Sequence, residues 1–203
     1  MSAGRYIALE GAEGCGKSTQ AARLADALGA VLTRETGGTS IGQRIRAILH
    51  DTTVTHLAHR AEALLTAADR AQHLEEVVRP ALAAGRHVVS DRSVYSALAY
   101  QGYGRDLSVD EVREINRWAI GDRWPDLVVL IDASPAVLEK RMRSRQQLDR
   151  FEQEGDEFHE RVRDGFRRMA EGDPTHWVVV DGALAPNDVF AAIRAAVRDR
   201  LDV

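Results

Sequence analysis

The sequence GAEGCGKS at residues 11–18 comes directly after the apolar run Tyr6 to Leu9 and directly before a segment with helical periodicity. It matches the pattern G-x-x-x-x-G-K-[ST] in the strand-to-helix context that this pattern requires. Glycines let successive backbone N–H groups curl around phosphate oxygens, a lysine reaches the β and γ phosphates, and a hydroxyl can coordinate magnesium. The stretch therefore predicts a phosphate-binding loop at the first strand of an α/β sheet.

The side chains in this loop indicate which residue would contact the phosphates and which would bind a metal. Lys17 is expected to contact the nucleotide phosphates, and Ser18 is expected to be the ligand of the metal. Cys15 is interpreted as a tolerated small residue, because the chain has no other cysteine to act as a resolving thiol. The alternative is a glycine turn with a solvated lysine, which the flanking strand and helix disfavour. The residues predicted to contact the phosphates are Gly11, Ala12, Glu13, Gly14, Cys15, Gly16, Lys17, Ser18 and Thr19.

Short apolar runs alternate with longer helical segments along the rest of the chain. The predicted strands are Tyr6 to Leu9, Val31 to Thr33, His87 to Val89, Leu127 to Ile131 and Trp177 to Val180. The predicted helices are Ser18 to Leu28, Ala58 to Ala84, Val109 to Trp118, Pro135 to Arg145, Glu157 to Ala170 and Asn187 to Leu201. Pro80 should kink or interrupt the second of these helices. The alternation predicts one domain over residues 1–203, with a five-stranded parallel sheet and helices on both faces.

The composition is that of an ordinary globular domain. Apolar residues make up 44% of the chain and charged residues 29%, so a substantial core can form. A net charge of -4 gives no general attraction to nucleic acid or to anionic membranes. We see no zinc-like spacing of Cys and His, no leader segment and no apolar run long enough to span a bilayer. We therefore expect a cytoplasmic protein without nucleic-acid or membrane partners.

Two further segments suggest contacts with phosphate. Asp91-Arg92-Ser93 follows the third predicted strand, where the Arg92 guanidinium would face the phosphate loop and suits a phosphate monoester. The alternative is a surface salt bridge made by Asp91. The stretch Lys140 to Arg150 is rich in arginine and is interpreted either as cations at a helix C-terminus or as a lid, about residues 141–155, that closes over a transferring phosphoryl group.

In these motifs the chain resembles the thymidylate kinase family almost from end to end. The matching stretches are Glu10 to Gln20, Thr33 to Leu49, Leu64 to Arg70, Asp91 to Gln101, Pro125 to Asp132, Leu148 to Glu152 and Phe158 to Phe166. The resemblance implies the P-loop nucleoside monophosphate kinase fold, ATP with Mg²⁺ as phosphoryl donor, dTMP as acceptor in dTTP synthesis, and a homodimer.

The resemblance also implies the roles of individual residues. Positions 12 to 15 contain no arginine, so the chain resembles the bacterial type of the family, in which the catalytic arginine lies in the lid. The implied catalytic residues are Lys17, Glu13, Arg92, Arg143, Arg145 and Arg150. The implied residues for binding the acceptor are Glu35, Arg46, Thr66, Arg70, Arg92, Ser96, Ala97, Tyr100 and Gln101.

Three positions depart from the family pattern. Thr36 replaces a proline, Thr66 replaces a phenylalanine that stacks on thymine, and Ala97 replaces a polar contact to the base. Loss of the ring and of the hydrogen bond would weaken base binding by roughly 1–3 kcal/mol. A kinase of another nucleoside monophosphate therefore stays open as an alternative. A nucleotide-dependent switch is a second alternative, although a switch should lack the second phosphate site and the base pocket.

Overall fold

A five-stranded parallel sheet forms the centre of the computed structural model, which describes residues 4–143 and 148–203. The strands are β1 (Tyr6–Glu10), β2 (Val31–Arg34), β3 (Val88–Asp91), β4 (Leu127–Asp132) and β5 (Trp177–Asp181). Their order across the sheet is β2-β3-β1-β4-β5. All five predicted strands are confirmed, and each continues one or two residues further at its carboxyl end.

The central strands are buried because helices cover both faces of the sheet. Every residue of β1 is buried, and along β4 only the last residue is partly exposed. Alternate residues point to opposite faces, so Val128 packs into one hydrophobic core and Val129 into the other. This double burial explains why these strands are near-continuous apolar runs rather than alternating ones.

The helices occupy the connections between these strands. They are α1 (Lys17–Leu28), α2 (Ser40–His50), α3 (His59–His73), α4 (Arg79–Ala83), α5 (Val94–Ala97), α6 (Val109–Ile120), α7 (Pro135–Met142), α8 (Asp156–Gly172) and α9 (Pro186–Leu201). Two π-helical segments, Leu74–Val78 and Leu98–Gly104, follow α3 and α5. None of the helices in residues 4–143 and 148–203 has the length and apolar character needed to cross a membrane.

Two predicted helices need correction. The helix predicted from Ala58 to Ala84 is divided into α3, a π-helical segment and α4, with Pro80 in the first turn of α4. Proline has no N–H to donate, so the wider π turn lies directly before it. The helix predicted from Pro135 to Arg145 ends at Met142, and Arg145 lies outside the described residues.

Helix α2 and the segment formed by α5 with the π helix after it were not predicted from the sequence. In α2 the signal was present, because the Thr39 hydroxyl accepts a hydrogen bond from Gly42 N at 2.9 Å and caps the helix. Gly42 lowers helix propensity and hides that signal. The π-helical segment contains Gly104, where an added Cβ would lie 2.7 Å from Phe158 of α8. Glycine is needed there because the two elements approach so closely.

Candidate active site

A cavity of about 430 Å³ opens where β1, β2 and β3 end. Residues that follow each of these strands line it, together with parts of α2, α3, α5 and the segment after α7. Ligands of open parallel sheets bind at this edge, beyond the carboxyl ends of the strands. The cavity therefore lies at the edge of the sheet where the sequence predicts a ligand.

Most of the residues predicted to contact a ligand line this cavity. They are Glu13, Gly14, Gly16, Lys17, Ser18, Thr19, Glu35, Arg46, Thr66, Arg70, Arg92, Ser96, Ala97, Tyr100 and Gln101. Gly11, Ala12 and Cys15 do not line it. Gly11 and Ala12 instead accept hydrogen bonds through their backbone carbonyls, from Arg92 and Lys17 respectively.

The phosphate loop depends on backbone conformations that favour glycine. Gly11 has φ 142°, and an added Cβ would lie 2.5 Å from the carbonyl oxygen of Ile131. Gly16 has φ 100° at the N-terminus of α1. The buried Lys17 folds back over the loop, and its Nζ donates to Ala12 O at 2.8 Å. Its ammonium group is thus held at the centre of the loop.

Ser18 and Asp91 together form a set of oxygen ligands beside the loop. The Ser18 hydroxyl donates to Asp91 Oδ2 at 2.5 Å. Asp91 Oδ1 is buried and accepts no hydrogen bond from the part of the chain that the structure describes. Hydroxyl and carboxylate oxygens are the donors that Mg²⁺ prefers. The chemistry of these two side chains fits a magnesium ion, and Asp91 was not among the metal ligands predicted from the sequence.

Arg92 connects the phosphate loop to the wall that carries Tyr100. It has φ 74°, and its guanidinium donates to Tyr100 Oη at 3.1 Å and to Ser96 Oγ at 3.1 Å. The same guanidinium forms an ion pair with the Glu13 carboxylate, to which the Tyr100 hydroxyl also donates. Burial favours a raised pKa for Glu13, but the positive charges of Arg92 and Lys17 outweigh it and lower that pKa. Glu13 is therefore an ionised group that orients Arg92 and Tyr100.

The buried carboxylate of Glu10 holds the start of α5 next to Arg92. Glu10, the last residue of β1, accepts hydrogen bonds from Ser93 N at 2.7 Å and from Ser96 Oγ at 2.6 Å. Burial raises the pKa of Glu10. Its contacts fix the start of α5, which carries Ser96 and Ala97 into the cavity. This role of Glu10 was not predicted, because a charged residue at the end of an apolar strand forms no distinctive sequence pattern.

Glu35 and Arg70 form the opposite wall. Arg70 Nε donates to Glu35 Oε2 at 2.6 Å, and Arg70 Nη2 donates to Ser93 O at 3.2 Å. Arg70 also pairs with the side-chain oxygen of Asn116, and His73 Nδ1 lies 2.9 Å from Glu35 Oε1. Although burial opposes ionisation, Arg70 lowers the pKa of Glu35 below its ordinary value. The guanidinium plane of Arg70 is therefore held on several sides.

The region predicted for the base combines small and apolar groups. The Thr66 hydroxyl donates to Ala63 O at 2.8 Å, so its hydrogen is used within α3. The side-chain nitrogen of Gln101 donates to Glu62 Oε1 at 2.9 Å. Phe151 and Leu49 also line the cavity, although the sequence analysis assigned them no role. They supply apolar surface in the same cavity as Thr66, the position where the family pattern has an aromatic ring.

The two predicted lid arginines that the structure describes, Arg143 and Arg150, do not line the cavity. Arg143 is exposed and pairs with Glu139 at 2.7 Å, whereas Arg150 Nη2 lies 2.6 Å from Glu62 Oε2. Arg145 lies outside the described residues. Arg141, which was not predicted, lines the cavity and donates to Gly182 O at 2.9 Å. A catalytic role for the three predicted arginines stays a prediction.

The segment after the described end of α7 reaches the cavity through residues that sequence reasoning did not single out. His50 Nδ1 lies 2.7 Å from Asp149 Oδ2, while Asp149 Oδ1 accepts a hydrogen bond from Phe151 N at 2.9 Å. Burial opposes ionisation of Asp149, but these hydrogen bonds lower its pKa to about 2. The sequence did contain a signal for these residues, because the stretch Leu148 to Glu152 is one of those that match the family. The lining residues that were missed are Arg34, Thr36, Leu49, His50, Asp91, Arg141, Asp149, Phe151 and Glu152.

Both the family model and the related sequences that match this chain are described as thymidylate kinases. The family model described as thymidylate kinase matches residues 9–193. The chain is 48% identical over 198 residues to the thymidylate kinase of Clavibacter michiganensis subsp. michiganensis, covering 94% of this chain and 93% of that protein. It is 44% identical over 204 residues to the thymidylate kinase of Desulfovibrio desulfuricans, covering 95% and 94%.

A solved structure shows the same fold. The crystal structure of thymidylate kinase from Ehrlichia chaffeensis superposes with a TM-score of 0.79 at 29% sequence identity. The match covers 97% of this chain and 99% of that chain. The sheet and the helices around it are therefore those of the P-loop nucleoside monophosphate kinases.

The contact between His50 and Asp149 predicts a pH-dependent stability. Because the folded pKa of Asp149, about 2, lies below its ordinary value of 3.8, the stabilisation is present above that value and is lost as the pH falls towards 2. Asp149→Asn keeps the Oδ1 acceptor and removes the charge. In urea unfolding, the free-energy difference between wild type and Asp149→Asn should shrink by about 1 kcal/mol between about pH 5 and pH 3.

The control for this measurement is Asp26→Asn, which removes the charge of an exposed aspartate on α1. The prediction would be contradicted if the difference in unfolding free energy between wild type and Asp149→Asn were the same at about pH 5 and about pH 3.

Proposed function

The chain belongs to the thymidylate kinase family, and from this premise we propose that it transfers the γ-phosphate of ATP to dTMP, giving dTDP and ADP for dTTP synthesis. One observation carries the proposal. A single cavity contains both the phosphate loop with Lys17 and a second cluster of cations with Arg46 and Arg92. A protein that only binds or hydrolyses ATP has no use for the second cluster.

The second cluster has the electrostatics of an acceptor-phosphate site. Burial lowers the pKa of Arg46, and the nearby charges of Arg34 and Arg92 lower it further. Arg46 Nη1 also donates to Thr36 O at 3.2 Å, which holds it beside the loop after β2. A bound phosphate dianion would relieve the mutual repulsion of these guanidinium groups. Arg46 and Arg92 are therefore the residues proposed to hold the phosphate of dTMP.

The donor phosphates are proposed to lie on the phosphate loop. Backbone N–H groups of residues 11–19 would cradle them, and Lys17 would reach the β and γ phosphates. Ser18 and Asp91 are the residues that would hold Mg²⁺. When bound, Mg²⁺ neutralises charge on the donor phosphates.

The chemical step is an in-line attack by an oxygen of the acceptor phosphate on the γ-phosphorus of ATP. The new P–O bond forms as the bond between the γ-phosphorus and the bridging oxygen breaks, and ADP leaves with that electron pair. The attacking oxygen is already anionic near neutral pH, so no strong general base is required. Glu13 is therefore proposed to orient Arg92 and Tyr100 rather than to accept a proton, and positioning supplies most of the catalysis.

The lid arginines are proposed to neutralise charge on the transferring phosphoryl group during closure. Arg141 is already placed at the phosphate loop, where its Nη1 lies 3.4 Å from Gly14 O. Arg143 would have to exchange Glu139 for a ligand phosphate, and Arg150 would have to exchange Glu62. Arg145 belongs to the same proposal by its position in the sequence.

We also propose a single-domain homodimer that resides in the cytoplasm, where both proposed substrates are available. The dimer is supported by an apolar surface on α2, α3 and α6. Ile41 and Ile48 on α2 are 48% and 45% exposed, Leu64 on α3 is 55% exposed, and Trp118 on α6 is 87% exposed. Large apolar side chains exposed on neighbouring helices are typical of a surface that is covered by a partner.

Substrate turnover tests the central proposal. Wild-type protein should phosphorylate dTMP in preference to dCMP, dUMP, AMP and GMP, with ATP consumption dependent on the acceptor. Lys17→Ala should lower kcat by at least about a hundredfold, because the loop loses its cation. The matched control is Lys140→Ala, since Lys17 and Lys140 are the lysines of this chain and Lys140 is exposed on α7. Steady ATP hydrolysis that no monophosphate stimulates would exclude the kinase.

Thr66→Phe tests whether the base pocket lacks a stacking ring. The substitution should tighten dTMP binding by about 1 kcal/mol, roughly fivefold, because an aromatic face would cover the base. ATP affinity should change little, and both can be measured by titration calorimetry. Thr66→Val is the control, since it keeps the volume and removes a hydroxyl that already donates within α3. If another monophosphate is the better wild-type substrate and Thr66→Phe abolishes that preference, the assignment of dTMP fails.

Size-exclusion chromatography with light scattering tests the dimer. Leu64→Glu should convert the dimer to a monomer, because a charge on the apolar surface of α2, α3 and α6 would be buried without a partner. Leu184→Glu is the matched control, as it places the same charge on a leucine that is 43% exposed after β5. A wild-type protein that is monomeric at micromolar concentration would exclude the dimer.

A further inference from the structure

We propose that Glu62 is a positioning residue for recognition of the acceptor base. Its buried carboxylate holds the side-chain nitrogen of Gln101, so that the Gln101 oxygen is turned towards the base, and it ties this orientation to Arg150 of the lid segment. The inference rests on the proposed function, because it concerns the base of a nucleotide acceptor.

Glu62 lies in the first turn of α3, and its side chain is 0% exposed. Its Oε1 accepts hydrogen bonds from Gln101 Nε2 at 2.9 Å and from Arg105 Nε at 3.2 Å. Its Oε2 accepts from Arg105 Nη2 at 3.1 Å and lies 2.6 Å from Arg150 Nη2. Both oxygens are thus engaged, by three residues from two other parts of the chain.

The charge state of Glu62 is fixed by the same contacts. Burial disfavours the ionised carboxylate, but hydrogen bonds from Arg105 and Gln101 outweigh it and hold the pKa of Glu62 below its ordinary value. The group is therefore an acceptor only, with no proton to donate.

A carboxylate that only accepts hydrogen bonds can face only one end of the Gln101 amide. If the amide were rotated by 180°, two acceptor oxygens would lie against each other in a buried site, at a cost of about 1–3 kcal/mol. Gln101 is 2% exposed and lines the cavity, whereas Glu62 does not line it. With the nitrogen held by Glu62, the end of the amide that remains for a ligand is the oxygen.

An amide oxygen selects a complementary edge of the base. It pairs with a pyrimidine whose ring nitrogen carries a hydrogen, as in thymine and uracil. It opposes the unprotonated ring nitrogen of cytosine, which is itself an acceptor. Because a buried pair of acceptors costs more than a missing contact, the fixed orientation acts mainly by excluding the wrong base.

The same carboxylate joins the base pocket to the lid segment. Arg150 lies in the stretch 148–154, and Arg105, which follows the π-helical segment, also pairs with Glu154 of that stretch at 2.5 Å. Glu62 is therefore the point at which α3, the π-helical segment and the lid segment meet. Gln101 and the observed position of residues 148–154 depend on one buried anion.

The first experiment observes the Gln101 side-chain amide without any nucleotide. In nitrogen-15 NMR spectra of the wild type, assigned by the loss of signals in Gln101→Met, the Nε2 protons should exchange with solvent at least about tenfold more slowly than those of Gln153, which is exposed. Glu62→Leu, which removes both acceptor oxygens, should abolish this protection. Glu154→Leu is the matched control, because it removes the other carboxylate on Arg105 without a contact to Gln101. Unprotected Gln101 protons in the wild type would overturn the proposal, even if Glu62→Leu does not fold.

The second experiment measures discrimination between dTMP and dCMP. Glu62→Leu should lower the ratio of their kcat/KM values by about tenfold, mainly by raising KM for dTMP, with KM for ATP unchanged. Glu154→Leu should keep the wild-type ratio. An equal loss for both acceptors would show a merely structural role and overturn the proposal.

The two experiments also separate this inference from the proposed function. A protected amide in a protein that phosphorylates no nucleotide would refute the proposed function and leave the Glu62 contact standing. An unprotected amide in an active dTMP kinase would refute the inference alone.

Discussion

The parallel register of β2, β3 and β1 is the constraint on which the site depends. Asp91 lies opposite both Leu9 and Arg34, and backbone hydrogen bonds run from Arg92 N to Leu9 O at 2.9 Å and from Glu35 N to Asp91 O at 3.1 Å. Three strands therefore end level with one another. Because each continues directly into a polar loop, the phosphate loop, the proposed metal ligands Ser18 and Asp91 and the proposed acceptor arginines meet at one edge of the sheet.

Buried and partly buried ion pairs then fix the orientation of the side chains around the cavity. Arg92 pairs with Glu13, Arg70 with Glu35, and Glu62 with two arginines. A fully buried pair such as Arg70 with Glu35 contributes little net stability, since desolvation offsets its attraction, but removing one partner costs about 3–5 kcal/mol. Their effect is to give each guanidinium group a single direction. A transfer reaction that relies on positioning benefits from this rigidity more than from additional binding energy.

The strands and the phosphate loop could be predicted because each signal is local. β1 and β4 are continuous apolar runs, and the loop pattern has its glycines and lysine at fixed spacing. The pairing of Arg150 with Glu62 could not be predicted, because it joins residues far apart in sequence and the arginine-rich stretch suggests only a general basic character. That Phe151 lines the cavity could not be predicted for the same reason, because it lies far in sequence from most of the other lining residues. The helix α2 was missed because Gly42 weakens its propensity, although Thr39 gave the capping signal.

The π-helical segment after α5 has an evolutionary consequence. It carries Tyr100 and Gln101, while Ser96 and Ala97 belong to the α-helical turn before it. Deleting one codon between these pairs would rotate the later residues by about 100° relative to the earlier ones. Such a change would present a new set of side chains to the acceptor and leave the phosphate loop intact. Short insertions and deletions in this segment are therefore a route by which descendants of such a kinase could acquire a different acceptor.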